Sequence, residues 1–174
     1  MLLKLLIMLT QISFKPVEEE HIETIKEIYN YYVENTTVTF HSEKLDNEEM
    51  RNILFFKNQR FVSYSIINTQ AGVVGYVILG YYKPRQAYDF TSEVTIYLHP
   101  EQTGKGIGNQ AMEFIEKIAR ERKFHALLGV ICSENEASIK LFRKFGYWEC
   151  ANFKEVGLKY GRLLDVVVYE KILK

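Results

Sequence analysis

The segment Gln102-Thr103-Gly104-Lys105-Gly106-Ile107-Gly108 puts three glycines and a lysine between a short apolar run, Val94 to Leu98, and an amphipathic helix that starts near Gly106. A glycine-spaced loop entering a helix presents backbone N–H groups that have no partner inside the helix. Those donors, and the positive end of the helix dipole, suit phosphate oxygens. Glycine also lets the backbone approach a ligand with no Cβ in the way. Three phosphate patterns compete here with a glycine-rich turn that binds nothing. A Walker loop needs four residues between its first glycine and Gly-Lys-Ser/Thr, and that spacing is absent. A dinucleotide fingerprint needs G-x-G-x-x-G, whereas this segment reads G-x-G-x-G. A third pattern, Gln/Arg-x-x-Gly-x-Gly/Ala after a strand, fits without a gap.

Other chemistries are thinner. The two cysteines, Cys132 and Cys150, form no CxxC and no paired framework, so they read as reduced, core or near-core thiols of a cytoplasmic protein. No Cys/His cluster has zinc spacing, and no metal is expected. Basic and acidic residues balance at 22 each, which argues against a strongly electrostatic partner such as nucleic acid.

The elements that would carry the loop follow from periodicity. Ile12 to Lys15 reads as a first strand ended by Pro16. Ile22, Ile25, Ile28, Tyr29 and Tyr32 have helical spacing within Glu18 to Glu34. Asp46 and Glu49 form a capping box that opens a second helix. Phe61 to Ile67 and Val73 to Tyr82 read as a hairpin around Asn68 to Gly72, and Glu93 to Leu98 as a third strand of that group, ended by Pro100. Ile107, Ala111, Phe114, Ile115 and Ile118 make the apolar stripe of the helix after the loop. Ala126 to Cys132 is a buried strand. Ser133 and Glu136 form a second capping box, and its helix runs to Phe145 with Gly146 as the stop. Trp148 to Leu173 alternates like an antiparallel pair around Gly157 to Gly161. The order β-α-α-β-β-β-α-β-α-β-β predicts a single α/β domain over residues 12–174, a mixed sheet with helices on both faces. Residues 1–11 form an extension outside that pattern. Their apolar run, broken by Lys4, is too short to span a bilayer, and no membrane partner is expected.

That order and the third loop pattern resemble the GNAT superfamily of acyl-CoA N-acyltransferases. Three further segments resemble its phosphinothricin acetyltransferase branch. Tyr29-Asn30 with Val33 to Phe40 is similar to YN…V-x-x-T-x-A-T-F. Lys83 to Tyr88 with Thr91 to Leu98 is similar to R-x-A-Y…T-x-E-x-S-V-Y-V. Gly157 to Asp165 is similar to G-x-K-x-G-R-W-L-D. Relatives of this kind acetylate the α-amine of small amino acids or analogues such as phosphinothricin and methionine sulfoximine or sulfone, and are commonly homodimers.

The resemblance implies acetyl-CoA as co-substrate and assigns roles. Gln102, Gly104, Lys105, Gly106, Ile107, Gly108 and Asn109 would hold the diphosphate. Ile96, Tyr97 and Leu98 would pair with the pantetheine arm, the Leu98 N–H also meeting the thioester oxygen. One such donor is worth about 3 kcal/mol of barrier. Asn135 would bond the pantetheine, or simply cap its helix. Glu93 would take the proton from the ammonium, its pKa raised by an apolar strand, unless it is an ordinary surface glutamate. Lys83 and Arg85 would bind an anionic or zwitterionic acceptor, since arginine grips a carboxylate or phosphinate with two parallel bonds. Tyr88 would add a hydroxyl, and Phe40 and Val156 apolar contacts. The alternative for Lys83 and Arg85 is a solvated loop. One departure stands out. Relatives place a tyrosine or histidine where this chain has Phe142, which cannot protonate a leaving thiolate. Two other functions stay open: acetylation of a different amine, such as a protein N-terminus or an antibiotic, and, because of Phe142, acyl-CoA binding without turnover.

Overall fold

The computed structural model describes residues 11–174, so the expected N-terminal extension lies, but for Gln11, outside the described residues. Strand β1 (Ile12–Pro16) leads through a short 3-10 turn into α1 (Ile22–Asn35). Then come α2 (Asn47–Leu54), β2 (Val62–Asn68), β3 (Gly72–Tyr81), β4 (Thr91–Leu98), α3 (Ile107–Glu121), β5 (Ala126–Cys132), α4 (Glu136–Lys144), β6 (Trp148–Lys159) and β7 (Arg162–Ile172). The element order is the one the periodicity predicts.

The strands form one mixed sheet in the order β1-β2-β3-β4-β5-β7-β6. The interior strand β3 is buried on both faces, which explains its nearly continuous apolar run. Tyr76 and Ile78 face α1 and α2, where they meet Ile22, Ile25, Tyr29 and Met50. Val77 and Leu79 face the opposite way, against Met112 and Ile115 of α3 and Phe142 of α4. The period-two alternation of a strand thus feeds two helical layers at once. At α2 the capping box is present in both directions, Asp46 accepting from the Glu49 N–H and Glu49 from the Asp46 N–H, each at 2.9 Å. The cap of α4 differs from the expected Ser133–Glu136 pair. Asn135 is the capping residue, and its Oδ1 accepts from the Ser138 N–H at 3.1 Å. Ser133 is still bound to the sheet end, donating its N–H to Asp165 O. Cys132 is buried as expected, but Cys150 is exposed, on edge strand β6.

Strands β4 and β5 are parallel neighbours for only three residue pairs, Thr91↔Ala126 to Glu93↔Leu128. Beyond them β5 follows β7, with which it pairs as far as Cys132↔Val166. The sheet splits at Glu93, and the remainder of β4 keeps a strand neighbour on one side alone.

Candidate active site

The split opens a cavity of about 670 Å³. Its walls include Glu93, Thr95 and Tyr97 from one face of β4 and Val94, Ile96 and Leu98 from the other, so the gap passes through the plane of the sheet. Val130 and Ile131 of β5 stand opposite. Gly104, Gly106, Gly108 and Asn109 line it at the start of α3, and Asn135, Ser138, Lys140, Leu141 and Lys144 from α4 and its cap.

The hydrogen-bond phase of β4 decides which backbone groups face this gap. The His99 N–H donates to Val74 O at 2.7 Å. Alternation along an antiparallel ladder then turns Tyr97, Thr95 and Glu93 toward β3, with which they pair as Tyr97↔Tyr76, Thr95↔Ile78 and Glu93↔Gly80. Ile96 and Leu98 direct their N–H and C=O groups the other way, toward β5. Parallel pairing has already ended there, so these groups meet the cavity. The Leu98 carbonyl accepts from the Tyr32 hydroxyl at 2.6 Å, which ties the end of β4 to α1.

Gly104 and Gly106 have φ of +72° and +81°. A Cβ at either would meet nothing within 4 Å. Backbone conformation, rather than crowding, therefore requires glycine at both. Gly106 caps α3, and the Asn109 and Gln110 N–H groups reach its carbonyl only at 3.2 and 3.3 Å. The first N–H groups of α3 open onto the cavity mouth, where the helix dipole is positive. Lys140 and Lys144 line the same mouth, Lys144 bonding Asn109 Oδ1 at 2.9 Å.

Glu93 sits where the strands part. Burial in apolar surroundings pushes its carboxyl up to about 7. Burial likewise pushes the Tyr97 hydroxyl far up, and the neighbouring Tyr29 adds to the effect. Phe142 is fully inside, edge-on to Tyr147 at 4.8 Å, and its ring lies against the Gly129 backbone where any Cβ would collide. The missing side chain at Gly129 and the ring at Phe142 are a matched pair of shapes. No hydroxyl or imidazole stands at this point of the wall.

The other expected residues divide. Ile96, Tyr97, Leu98, Gly104, Gly106, Gly108, Asn109 and Asn135 line the cavity, whereas Gln102, Lys105 and Ile107 do not. Gln102 closes the turn after β4, and Lys105 bonds its Oε1 at 3.3 Å. Ile107 packs inward on Ile66, Val74 and Ala111, leaving only its backbone to face the mouth. The five residues expected at the acceptor, Lys83, Arg85, Tyr88, Phe40 and Val156, lie outside the cavity walls. Lys83 and Arg85 are exposed on the loop that enters the closed end of the split, with the Lys83 ammonium over the rings of Tyr82 and Tyr88 at 5.0 and 5.7 Å. Phe40 rests on Gly157, and Val156 is on the exposed face of β6. Tyr32, Val38, Ser138, Lys140 and Lys144 line the cavity and were not singled out from the sequence. Ser138, Lys140 and Lys144 carry a signal in that they are polar positions of the helix that follows a buried strand.

Comparison with known proteins agrees with this geometry. The Acetyltransferase (GNAT) family matches residues 25–147. A phosphinothricin N-acetyltransferase of Streptomyces coelicolor is 30% identical over 94% of this chain and 97% of its own. An L-methionine sulfoximine/L-methionine sulfone acetyltransferase of Salmonella typhimurium is 30% identical over 82% of this chain and 83% of its own. The crystal structure of a phosphinothricin acetyltransferase from Sinorhizobium meliloti in complex with AcCoA superposes with a TM-score of 0.86 at 26% identity, covering 93% of this chain and 88% of that one. With its split sheet, its glycine-capped helix and a family match over most of its length, this chain belongs to the GNAT family of acetyltransferases.

Proposed function

We propose that the protein transfers the acetyl group of acetyl-CoA to the α-amine of a small amino acid or amino-acid analogue, of the phosphinothricin or methionine sulfoximine and sulfone type. The observation that carries this reading is the split at Glu93. It joins a neutral-range carboxyl, a strand edge with free N–H groups and a helix N-terminus in one cavity.

The diphosphate fits the N–H groups at the start of α3, with Lys140 and Lys144 beside them. The pantetheine arm fits the free edge of Ile96 to Leu98 as an added strand. The acceptor ammonium gives one proton to Glu93. Its neutral nitrogen attacks the thioester carbon, and charge gathers on the carbonyl oxygen near the Leu98 N–H. Collapse forms the amide and breaks the C–S bond, while the nitrogen sheds its second proton to solvent. A phenol as basic as buried Tyr97 is a poor donor to a thiolate of pKa near 8.5, and Phe142 has no proton to give. The thiolate therefore leaves unassisted and takes its proton from solvent.

This activity suits a cytoplasmic homodimer, in keeping with two unpaired thiols and an exposed apolar edge at β6. The test is coenzyme thiol release from acetyl-CoA across a panel of amino acids, analogues, polyamines and an N-terminal peptide. Turnover restricted to the small amino acids supports the reading. Turnover only with the peptide or polyamine overturns the acceptor class, and binding without thiol release from any amine overturns the enzyme.

A further inference from the structure

The Tyr29 hydroxyl lies between two polar partners. Its oxygen is 2.6 Å from Thr39 Oγ1, and it bonds Nδ1 of His41. The Thr39 hydroxyl also bonds the Tyr97 phenol. Tyr29 and Thr39 are buried, Tyr97 lines the cavity with Glu93, and His41 is exposed to solvent. Four side chains thus form a hydrogen-bonded row from the cavity wall to water. Ring packing keeps it in line, with Tyr29 edge-on to Tyr97 at 5.2 Å and to His41 at 5.6 Å. Lys159 fixes the middle of the row, its ammonium donating to Thr39 O at 2.8 Å. Thr39 alone would satisfy the Tyr29 hydroxyl, so the imidazole adds something other than a partner for a buried group.

Each hydroxyl has one proton to donate, so the direction of one bond in the row sets the others. When His41 Nδ1 accepts, Tyr29 donates to it, Thr39 donates to Tyr29 and Tyr97 donates to Thr39. The Tyr97 oxygen then keeps a lone pair for the cavity. When Nδ1 carries a proton, every bond reverses, and the Tyr97 O–H is free for the cavity. The two arrangements differ by one proton, gained at the cavity end and delivered at the surface end. Burial raises both phenols above their ordinary range, so the proton passes by exchange along the row and no phenolate forms. The outer end is a histidine, the side-chain type that exchanges protons with water near neutral pH.

We propose that this row carries the second proton of the acceptor nitrogen out of the cavity, and that His41 is the positioning residue that sets its direction and receives the proton. As the C–N bond forms, the N–H proton passes to the Tyr97 oxygen and the nitrogen keeps the electron pair. The Tyr97 proton moves to Thr39, that of Thr39 to Tyr29, and that of Tyr29 to His41 Nδ1. His41 then gives a proton to water, and the hydroxyls turn back. This rests on the acetyltransferase function proposed above, to which it adds the route from the nitrogen to solvent.

The test is the rate of amide formation in a single turnover, with the best acceptor of the panel, in the wild type, His41→Ala and Tyr29→Phe, each with and without added imidazole. His41→Ala should slow the reaction about tenfold or more and leave the acetyl-CoA Kd unchanged. Imidazole should restore most of that loss and leave the wild type as it was. Tyr29→Phe breaks the row inside the fold, so it should be slowed by a similar factor and gain nothing from imidazole. His41→Ala at the wild-type rate overturns the proposal. So does a loss that imidazole leaves in place, which marks a structural histidine, or an equal rescue of Tyr29→Phe. His41 is at an exposed position, so His41→Ala decides the matter even where Tyr29→Phe does not fold. Amide formation by the wild type without rescue of His41→Ala sinks the relay alone. No amide from any acceptor sinks the catalytic function and the relay with it.

Discussion

Glu93 has an apolar environment and a role that requires charge, and the two oppose each other. Its carboxyl titrates near 7 because burial penalises the anion. Relative to an exposed glutamate, keeping it ionised costs the fold about 3 kcal/mol. The folded pKa lies above the unfolded one, so the associated stability is complete below the ordinary glutamate range and is lost as pH rises toward 7. Activity runs in the opposite sense, because only the anion accepts a proton. We expect kcat/KM to climb about tenfold per pH unit below 7 and to level off above it, the behaviour of a single essential base. Glu93→Gln should lose about 10²- to 10⁴-fold in rate and flatten that limb. It should also melt higher than the wild type at pH 8, where the charge penalty is fully present. A glutamine variant with full activity, or a wild-type limb centred near 4.5, would remove Glu93 from the base role. The sequence made this residue legible through its apolar neighbours Val94, Ile96 and Leu98.

Among elements, what was legible is what is local. The Asp46 cap, the stripe of α3 and the strand Ala126–Cys132 each depend on residues within one or two turns, and each is found where periodicity puts it. The cap of α4 was misplaced because Ser133, Asn135 and Glu136 all have capping chemistry, and the choice falls to a tertiary bond that holds Ser133 to Asp165. The split between β4 and β5 was not readable from residue spacing alone. It depends on β5 pairing with β7, some forty positions later in the chain. Lys83 and Arg85, expected at the acceptor, are close to Glu93 in sequence and stand on the exposed loop before β4, outside the cavity walls. The glycine loop makes a sharper claim. Because a Cβ at Gly106 meets no neighbour, the cost of Gly106→Ala is that of an L-residue held at φ +81°, about 1–2 kcal/mol. That corresponds to a fall in Tm of about 2–8 °C for a chain of this length. The acetyl-CoA KM should rise as the N–H groups of α3 lose their alignment. Gly106→Asn should be milder, since asparagine tolerates this region. Gly108→Ala should be nearly neutral, because its Cβ would make an ordinary 3.6 Å contact with Leu141. Equal losses at both positions would mean that steric approach of the ligand, and not backbone conformation, selects these glycines.

On the scale of the whole molecule the two edges of the sheet are unlike. β1 is five residues long and lies beside the helix-covered body, whereas β6 runs for twelve residues with almost every side chain exposed. Phe153, Val156 and Leu158 on β6 and Leu163 on β7 are more than half exposed, an apolar surface on a strand whose outer N–H and C=O groups have no strand neighbour among the described residues. A long apolar edge of this kind invites pairing with another chain. A second copy is the occupant that such an edge satisfies most simply, because an antiparallel strand related by a two-fold axis presents the same residues in return. The surface lies next to the site: Lys159, after Leu158 on the same strand, holds Thr39 O, and Thr39 follows the cavity residue Val38. Dimer formation would therefore brace the loop that carries Thr39. We expect light scattering to give twice the 20.5 kDa chain mass at micromolar concentration. Leu158→Glu, on the strand, should yield monomers with a raised acceptor KM. Phe55→Ser, which alters an exposed aromatic at the end of α2, should leave the dimer intact. A monomeric wild type, or a Leu158→Glu dimer as tight as the original, would mean that β6 is not the contact and that each chain braces its acceptor loop alone.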